Sequence, residues 1–261
     1  MAPKKLRKKQ MIVIVMSLVL AVVILISAIC LRASRYIGSG ESHLMEAIRS
    51  LGGGCAVTSM EDRENLQRRQ TMLEEGSASY PDMKGWLVIP GTSIDYPVMY
   101  SEDEDYYIDH SYDQKDDVYG TPFLYSGNAP DFSDDVSVVY GHAMNNGTMF
   151  GSLRSFQEKS RFQEVTQGYL ILEDGSHLLT IAASLSGNPE IEEMLKQSAS
   201  GVDDKSAFLD MLLENAQQQR QVELTEEDRL LVLSTLEYEK NEKQSQWILI
   251  AKIGPAEEIP E

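Results

Sequence analysis

The feature that most constrains this chain is an uninterrupted apolar stretch near its N-terminus. Met11 to Leu31 is a run of 21 residues without a charged side chain or a proline. At ~1.5 Å per residue, a helix of this length spans roughly 30 Å, about the thickness of the hydrocarbon core of a bilayer. We therefore expect a basic cytoplasmic tail over residues 1–10 and a single transmembrane anchor over residues 11–31.

The basic residues around this stretch predict its orientation. Five of them precede it, whereas only Arg32 and Arg35 follow closely. Because positively charged flanks remain in the cytoplasm, the chain after about residue 32 is expected outside the cell membrane.

Two alternatives to a transmembrane anchor stay open. One is a cleaved signal peptide, whose apolar region is usually about 7–15 residues long. The other is a lipoprotein site at Cys30, which the bulky Ile29 before the cysteine disfavours.

The charge of the chain is segregated in the same way. All 41 acidic residues follow residue 40, and seven of the 23 basic residues lie at or before Arg35, so the rest of the chain has a net charge of −25. This charge opposes nucleic-acid binding, which requires cations to neutralise phosphates. It favours a soluble domain on an outer surface.

The part after the anchor divides into a stalk and a domain. Residues 32–80 are interpreted as a helical stalk whose second helix runs from Met60 to about Glu75. That helix is polar on most faces, so we expect it to pack loosely or to project. The globular domain is predicted over residues 81–254 and a disordered tail over residues 255–261.

Short apolar runs separated by turn residues dominate the predicted domain. They favour a mainly β fold, a closed β-barrel with helical insertions, with one helix predicted over residues 205–219. The predicted strands lie at residues 85–89, 93–98, 121–125, 136–142, 169–172, 177–184, 230–236 and 247–253.

The sequence gives no sign of a metal or a cofactor, and we predict neither. The two cysteines, Cys30 and Cys55, indicate no disulfide framework and no zinc site. The acidic, tyrosine-rich run over residues 101–117 lacks the spaced ligands and the glycine of a calcium loop, so we interpret it as a solvated loop. His43, His110 and His177 show no metal-ligand spacing, and structural or surface roles are expected for them.

Three segments together resemble class B sortases. Gly85–Val98 is similar to the opening strands of that family, and Tyr140–Gly151 is similar to the block around its catalytic histidine. Leu233–Glu237, followed by Trp247–Ile253, resembles the segment that carries the nucleophilic cysteine and the strand after it. The segments occur in the family's order, and the second one is long and specific.

The resemblance implies a fold, a chemistry and a set of site residues. Sortases are membrane-anchored cysteine transpeptidases of Gram-positive surfaces. They cleave a sorting signal, hold the product as a thioester and transfer it to an amine of the cell-wall precursor. The resemblance assigns the catalytic histidine to His142 and the contacts to the peptide to Asn145, Ser234, Thr235 and Glu237. The implied partners are the sorting-signal peptide of a secreted protein or an active sortase.

This chain departs from the family at two catalytic positions. Leu236 stands where the family has its cysteine, and Gln246 where it has its arginine. A leucine cannot ionise or form an acyl-enzyme, and a glutamine has neither the charge nor the bidentate geometry of a guanidinium. The sequence therefore predicts a pseudoenzyme that retains the peptide groove.

Two other interpretations remain open at this stage. One is an active transpeptidase or hydrolase with a non-standard nucleophile. Ser234 would share a strand face with Leu236, and Cys55 would have to reach the site from the stalk. The other is a purely structural surface domain without a groove.

Overall fold

A computed structural model of the chain describes residues 60–198, 201, 205–235 and 246–257. Outside these residues lie the predicted basic tail at residues 1–10, the anchor at residues 11–31 and the first part of the stalk. Leu236 and Glu237 also lie outside them. Within the described ranges, no helix is both long enough and apolar enough to cross a membrane.

Eight strands form a closed barrel, as predicted. The order around the barrel is β5-β1-β2-β3-β4-β8-β9-β6, and β6 pairs with β5 to close it. A short ninth strand, β7, pairs with the remaining part of β6. The strands are β1 (Met83–Val88), β2 (Asp95–Tyr100), β3 (Phe123–Leu124), β4 (Val136–Gly141), β5 (Gln167–Leu172), β6 (Gly175–Ser186), β7 (Ala216–Gln219), β8 (Arg229–Thr235) and β9 (Trp247–Glu257).

Within the part of the chain that the structure describes, four α-helices and two 3₁₀ segments lie between or before the strands. The first described helix, α1, contacts β1 and β5. The helices are α1 (Met60–Ser79), α2 (Lys159–Glu164), α3 (Pro189–Ser198) and α4 (Lys205–Glu214), and the 3₁₀ segments are Tyr106–Ile108 and Phe150–Gln157.

Both faces of the central strands are covered, which explains their nearly continuous apolar sequences. Val138 and Val232 belong to a cluster that includes residues of α1, α3 and α4. Their neighbours Val139 and Leu233 belong to a second cluster, which includes α2 and the 3₁₀ segment Phe150–Gln157. Successive side chains of a strand point to opposite faces, so β4 and β8 each contribute to both clusters.

Helix α1 packs closely against the barrel, unlike the loosely packed helix that the sequence predicts. Leu66 and Leu73, seven residues apart, share one helix face and are 3% and 4% exposed. Arg69 lies between these leucines and donates its Nε hydrogen to Asp95 Oδ1 at 2.7 Å. Its terminal Nη2 forms an ion pair with the other oxygen of the same carboxylate. The indole of Trp86 donates to the same carboxylate at 2.8 Å. Two buried leucines and the pairing of Arg69 with Asp95 therefore attach a mostly polar helix to the barrel.

Two further boundaries differ from the sequence prediction. The helix predicted over residues 205–219 ends at Glu214, and Ala216–Gln219 instead forms β7, in which Gln219 pairs with Ala183. Three consecutive glutamines offer no apolar side chain to hold a helix against the core. Strand β9 also continues beyond residue 254 to Glu257, because its end pairs with Ser176 at the start of β6.

Candidate functional site

The candidate site lies where three neighbouring strands meet at one end of the barrel. Strands β4 and β8 are parallel, so their C-terminal ends lie side by side, with Gly141 opposite Thr235. These two residues immediately precede His142 and Leu236 in the chain. Strand β9 runs antiparallel to β8, so it begins at the same end, with Ile248 opposite Ser234. The topology therefore brings the predicted histidine and arginine positions to one end of the sheet.

His142 is held where β4 ends. Its side chain is buried, with 8% of the residue exposed. Its Nε2 lies 2.7 Å from the backbone carbonyl of Ile108, a contact in which the ring nitrogen must donate. Ile108 belongs to the acidic loop between β2 and β3, so this loop orients the imidazole. A hydrogen on Nε2 fixes the tautomer of the neutral ring.

The backbone on both sides of His142 is constrained by close packing. A Cβ at Gly141 would lie 2.9 Å from the buried ring of Phe150, so only glycine fits without a shift. The amide of Phe150 donates to the carbonyl of His142 at 2.9 Å. Met149 has a φ of 52°, which is rare for a residue with a side chain. Such backbone strain is found where the surroundings determine the conformation tightly.

Gln246 is also buried, with 8% of the residue exposed, and its amide group has two acceptors. Its Nε2 donates to Ser234 Oγ at 2.9 Å and to a carboxylate oxygen of Glu192 on α3. Its backbone carbonyl accepts a hydrogen bond from the amide of Gly187 at 2.8 Å. Both hydrogens of the Gln246 side-chain amide are therefore used for contacts within the protein.

Glu192 connects this glutamine to strand β4. Its other carboxylate oxygen accepts a hydrogen bond from the hydroxyl of Tyr140 at 3.1 Å. Burial raises the pKa of Tyr140 well above its ordinary value, and the negative charge of Glu192 raises that pKa further. Tyr140 therefore remains a neutral donor to the carboxylate.

Sequence reasoning missed Glu192. Asn188 and Pro189 are typical of a helix start, and Ile191 and Leu195 follow with helical spacing, so α3 itself was detectable. The Asn188 side chain indeed accepts hydrogen bonds from the first amides of the helix. Nothing in the sequence pairs Glu192 with a residue 54 positions later.

The predicted peptide-binding residues occupy different environments. Ser234 and Thr235 are 0% and 1% exposed. The Thr235 hydroxyl accepts a hydrogen bond from the amide of Trp247 at 2.9 Å, and the Ser234 hydroxyl accepts one from Gln246. Asn145 is exposed in the turn after His142. Glu237, the last of the set, lies outside the described residues together with Leu236.

The burial of Ser234 bears on the alternative nucleophile. A serine nucleophile must present its oxygen to the substrate and to a general base. Here the oxygen is completely buried and receives the amide hydrogen of Gln246. This arrangement suits a structural hydroxyl.

Comparison with known proteins establishes the family. No family model matches the chain. Over 175 residues the chain is 30% identical to sortase B of Listeria monocytogenes, and the match covers 66% of this chain and 70% of that protein. The chain belongs to the class B sortase family.

Solved structures agree with this fold. The Staphylococcus aureus sortase B–substrate complex aligns with a TM-score of 0.65 at 22% identity, covering 75% of this chain and 98% of that one. Clostridium perfringens sortase B aligns with a TM-score of 0.61 at 26% identity, and the alignment covers 69% of this chain and 98% of that one. The barrel is therefore the sortase-type fold that the sequence predicts.

Proposed function

We propose that this class B sortase is a pseudoenzyme, anchored in the membrane of a Gram-positive cell through residues 11–31. Its extracellular domain binds a peptide and does not perform cysteine transpeptidation. The observation that carries the proposal is Leu236 at the nucleophile position. Without a thiolate at that position, no thioester forms, and the two-step transfer has no first step. Losing the nucleophile alone costs an enzyme several orders of magnitude in rate.

The surroundings of Gln246 support the loss of activity. In a cysteine transpeptidase, a cation or a fixed donor must stabilise the negative charge that develops on the carbonyl oxygen. The amide of Gln246 is neutral, and it already donates to Ser234 and Glu192. The carboxylate of Glu192 beside it brings negative charge to the position, which opposes stabilisation of an oxyanion.

The retained parts of the site support peptide binding. His142 and the constrained turn after it are kept, and the barrel is similar to that of the S. aureus sortase B–substrate complex. Peptide affinity comes from many contacts along a groove, whereas catalysis needs the few reacting groups. The proposed ligand is the sorting-signal peptide of a secreted protein, or such a segment presented by an active sortase.

A mass-spectrometric assay tests the proposal. The purified full-length chain is incubated with a panel of sorting-signal peptides, and both cleavage and the mass of an acyl adduct are monitored. We expect neither, while fluorescence anisotropy of labelled peptides detects binding by at least one. A Cys55→Ser variant is the control for the remaining thiol outside the apolar stretch. Any adduct or cleavage product would overturn the proposal. Its loss in Cys55→Ser would identify Cys55 as the nucleophile, and its persistence would identify another group.

A further inference from the structure

A cavity between α1 and the barrel lies at the opposite end of strand β8 from the candidate site. It has a volume of about 920 Å³, and Arg229, the first residue of β8, is part of its lining. The candidate site begins where β8 ends, at Thr235. At ~3.3 Å per residue, the strand between these two residues spans ~20 Å. The cavity is therefore separate from the candidate site, and its volume lies in the range of ~300–1,000 Å³ that is common for ligand sites.

The most buried residues of the lining are apolar. Leu73 on α1, Met83 at the start of β1 and Leu172 at the end of β5 are 4%, 4% and 5% exposed. Gln70, one turn before Leu73, donates a side-chain hydrogen to the backbone carbonyl of Leu172 at 3.3 Å. This bond connects α1 to β5 at the cavity. The three apolar side chains offer a surface for an aliphatic chain.

The exposed part of the lining is mainly acidic. Four carboxylates line the cavity, and all of their residues are exposed: Glu74, Asp131, Glu173 and Asp174. Hydrogen bonds from the hydroxyl and the amide of Ser133 lower the pKa of Asp131, so this carboxyl is ionised at neutral pH. Asp174 also contacts the ring of His177 at 3.0 Å. The edge of the cavity therefore attracts positive charge.

The two cations in the lining offset only part of this charge. Lys84 donates to the backbone carbonyl of Pro81 at 2.7 Å, and Arg229 donates to that of Phe132 at 3.2 Å. Four carboxylates thus share the cavity with two cations that already serve backbone carbonyls. The chain after Arg35 has a net charge of −25, which adds a long-range attraction for a cationic partner.

We propose that this cavity binds the lysine side chains of a basic peptide segment. A lysine buries its aliphatic stem along an apolar surface and keeps its ammonium at a polar edge. The stem would lie on Leu73, Met83 and Leu172, and the ammonium would meet the carboxylates of Glu74 and Glu173. This second site is independent of the site in the proposed function, so either one can exist without the other.

Fluorescence anisotropy with three labelled peptides tests both parts of this recognition. The full-length chain, in a neutral detergent at pH 6.5, is titrated with the peptide Gly-Lys-Gly-Lys-Gly. A second peptide has norleucine in place of both lysines, which keeps the stem and removes the charge. A third has 2,4-diaminobutyrate, which keeps the charge on a shorter stem. We expect the lysine peptide to bind about fivefold or more tightly than either of the others.

Paired glutamine variants test the role of the carboxylates. Glu74→Gln with Glu173→Gln removes two charges from the lining and should weaken binding of the lysine peptide about fivefold. Glu64→Gln with Glu75→Gln is the matched control, because it removes two charges from exposed positions of α1 that do not line the cavity. The control should bind like the wild type.

A tryptophan in the cavity tests its location. Ser77 lines the cavity, so Ser77→Trp should abolish binding by filling it. Ser79→Trp places the same side chain at an exposed position outside the lining and should leave binding unchanged. Urea unfolding shows whether each variant is folded. If Ser77→Trp is not, the glutamine variants decide the question.

Several outcomes would overturn the inference. These are no binding of the lysine peptide, equal binding of the three peptides, or equal weakening by the two glutamine pairs. Displacement of the lysine peptide by an excess of sorting-signal peptide would place it at the candidate site instead. A dimer that Ser77→Trp converts to a monomer would assign the cavity to a second copy of the chain. An acyl adduct with a sorting peptide would overturn the proposed function and leave this inference intact.

Discussion

At the residue scale, position 246 shows that the role of a side chain depends on its neighbour. A glutamine there has both amide hydrogens committed, one to Ser234 and one to Glu192. Glu192 matters as much as the glutamine itself, because its carboxylate would also form an ion pair with an arginine at position 246. In the sequence, Leu236 and Gln246 predict that cysteine transpeptidation is absent. Glu192, whose contact is visible only in the fold, would also oppose that chemistry.

This geometry predicts the outcome of an attempt to restore activity. Leu236→Cys with Gln246→Arg supplies a thiol at the position of the family's cysteine and a cation at that of its arginine, so slow thioester formation with a sorting peptide is expected. Adding Glu192→Gln removes the carboxylate that would pair with the new arginine, and should increase the rate about tenfold or more. The rate of adduct formation is measured by mass spectrometry.

The matched comparison for this experiment is Glu193→Gln in the same double variant. It changes the charge equally on the exposed side of α3, so the rate should stay at that of the double variant. A triple variant with Glu192→Gln that reacts no faster than the double variant would show that the carboxylate does not restrain the arginine.

At the element scale, the sequence predicted well those elements whose own side chains determine them. Strands β4, β8 and β9 were predictable because both of their faces are buried, which produces nearly continuous apolar runs. Strand β7 was not, because its glutamines take their conformation from the backbone of β6. The contact of Glu192 with Gln246 was not predictable either, because it depends on where the barrel places the entrance of α3.

Helix α1 gives a pH-dependent prediction at this scale. Burial alone would raise the pKa of Asp95, but its contacts with Arg69 and Trp86 lower that pKa below the ordinary value. A depressed carboxyl pKa stabilises the folded state above the unfolded-state pKa of about 4, and this contribution is lost as the pH falls through the folded-state pKa. The Asp95 side chain is 40% exposed, so solvent screening limits the contribution to the order of 1 kcal/mol.

Urea unfolding of the wild type and Asp95→Asn measures this contribution. The wild type is expected to be more stable at pH 7, and the difference should shrink progressively between pH 4 and pH 2. Glu75→Gln, at an exposed position of the same helix, should differ little from the wild type at any pH. A difference between wild type and Asp95→Asn that stays constant from pH 7 to pH 2 would contradict the role of the ionised carboxylate.

At the scale of the whole molecule, the N-terminal sequence predicts on which side of a membrane the described domain lies. The barrel, with α1 packed on it, comprises the described residues between Met60 and Glu257. The apolar stretch at residues 11–31 precedes it, and the acidic residues all follow that stretch. The proposed function requires this acidic domain to lie outside the cell, where secreted peptides pass.

Cys55 provides a direct test of this arrangement, because the other cysteine, Cys30, lies within the apolar stretch. With the N-terminus inside and residues after about 32 outside, a membrane-impermeant maleimide should label Cys55 on intact cells. The protein should remain in the membrane fraction after a high-salt wash, since an apolar helix of this length is retained by the bilayer. Cys55→Ser should abolish the labelling. Labelling only after permeabilisation would reverse the orientation, and release of the protein into the medium would identify the stretch as a cleaved signal peptide.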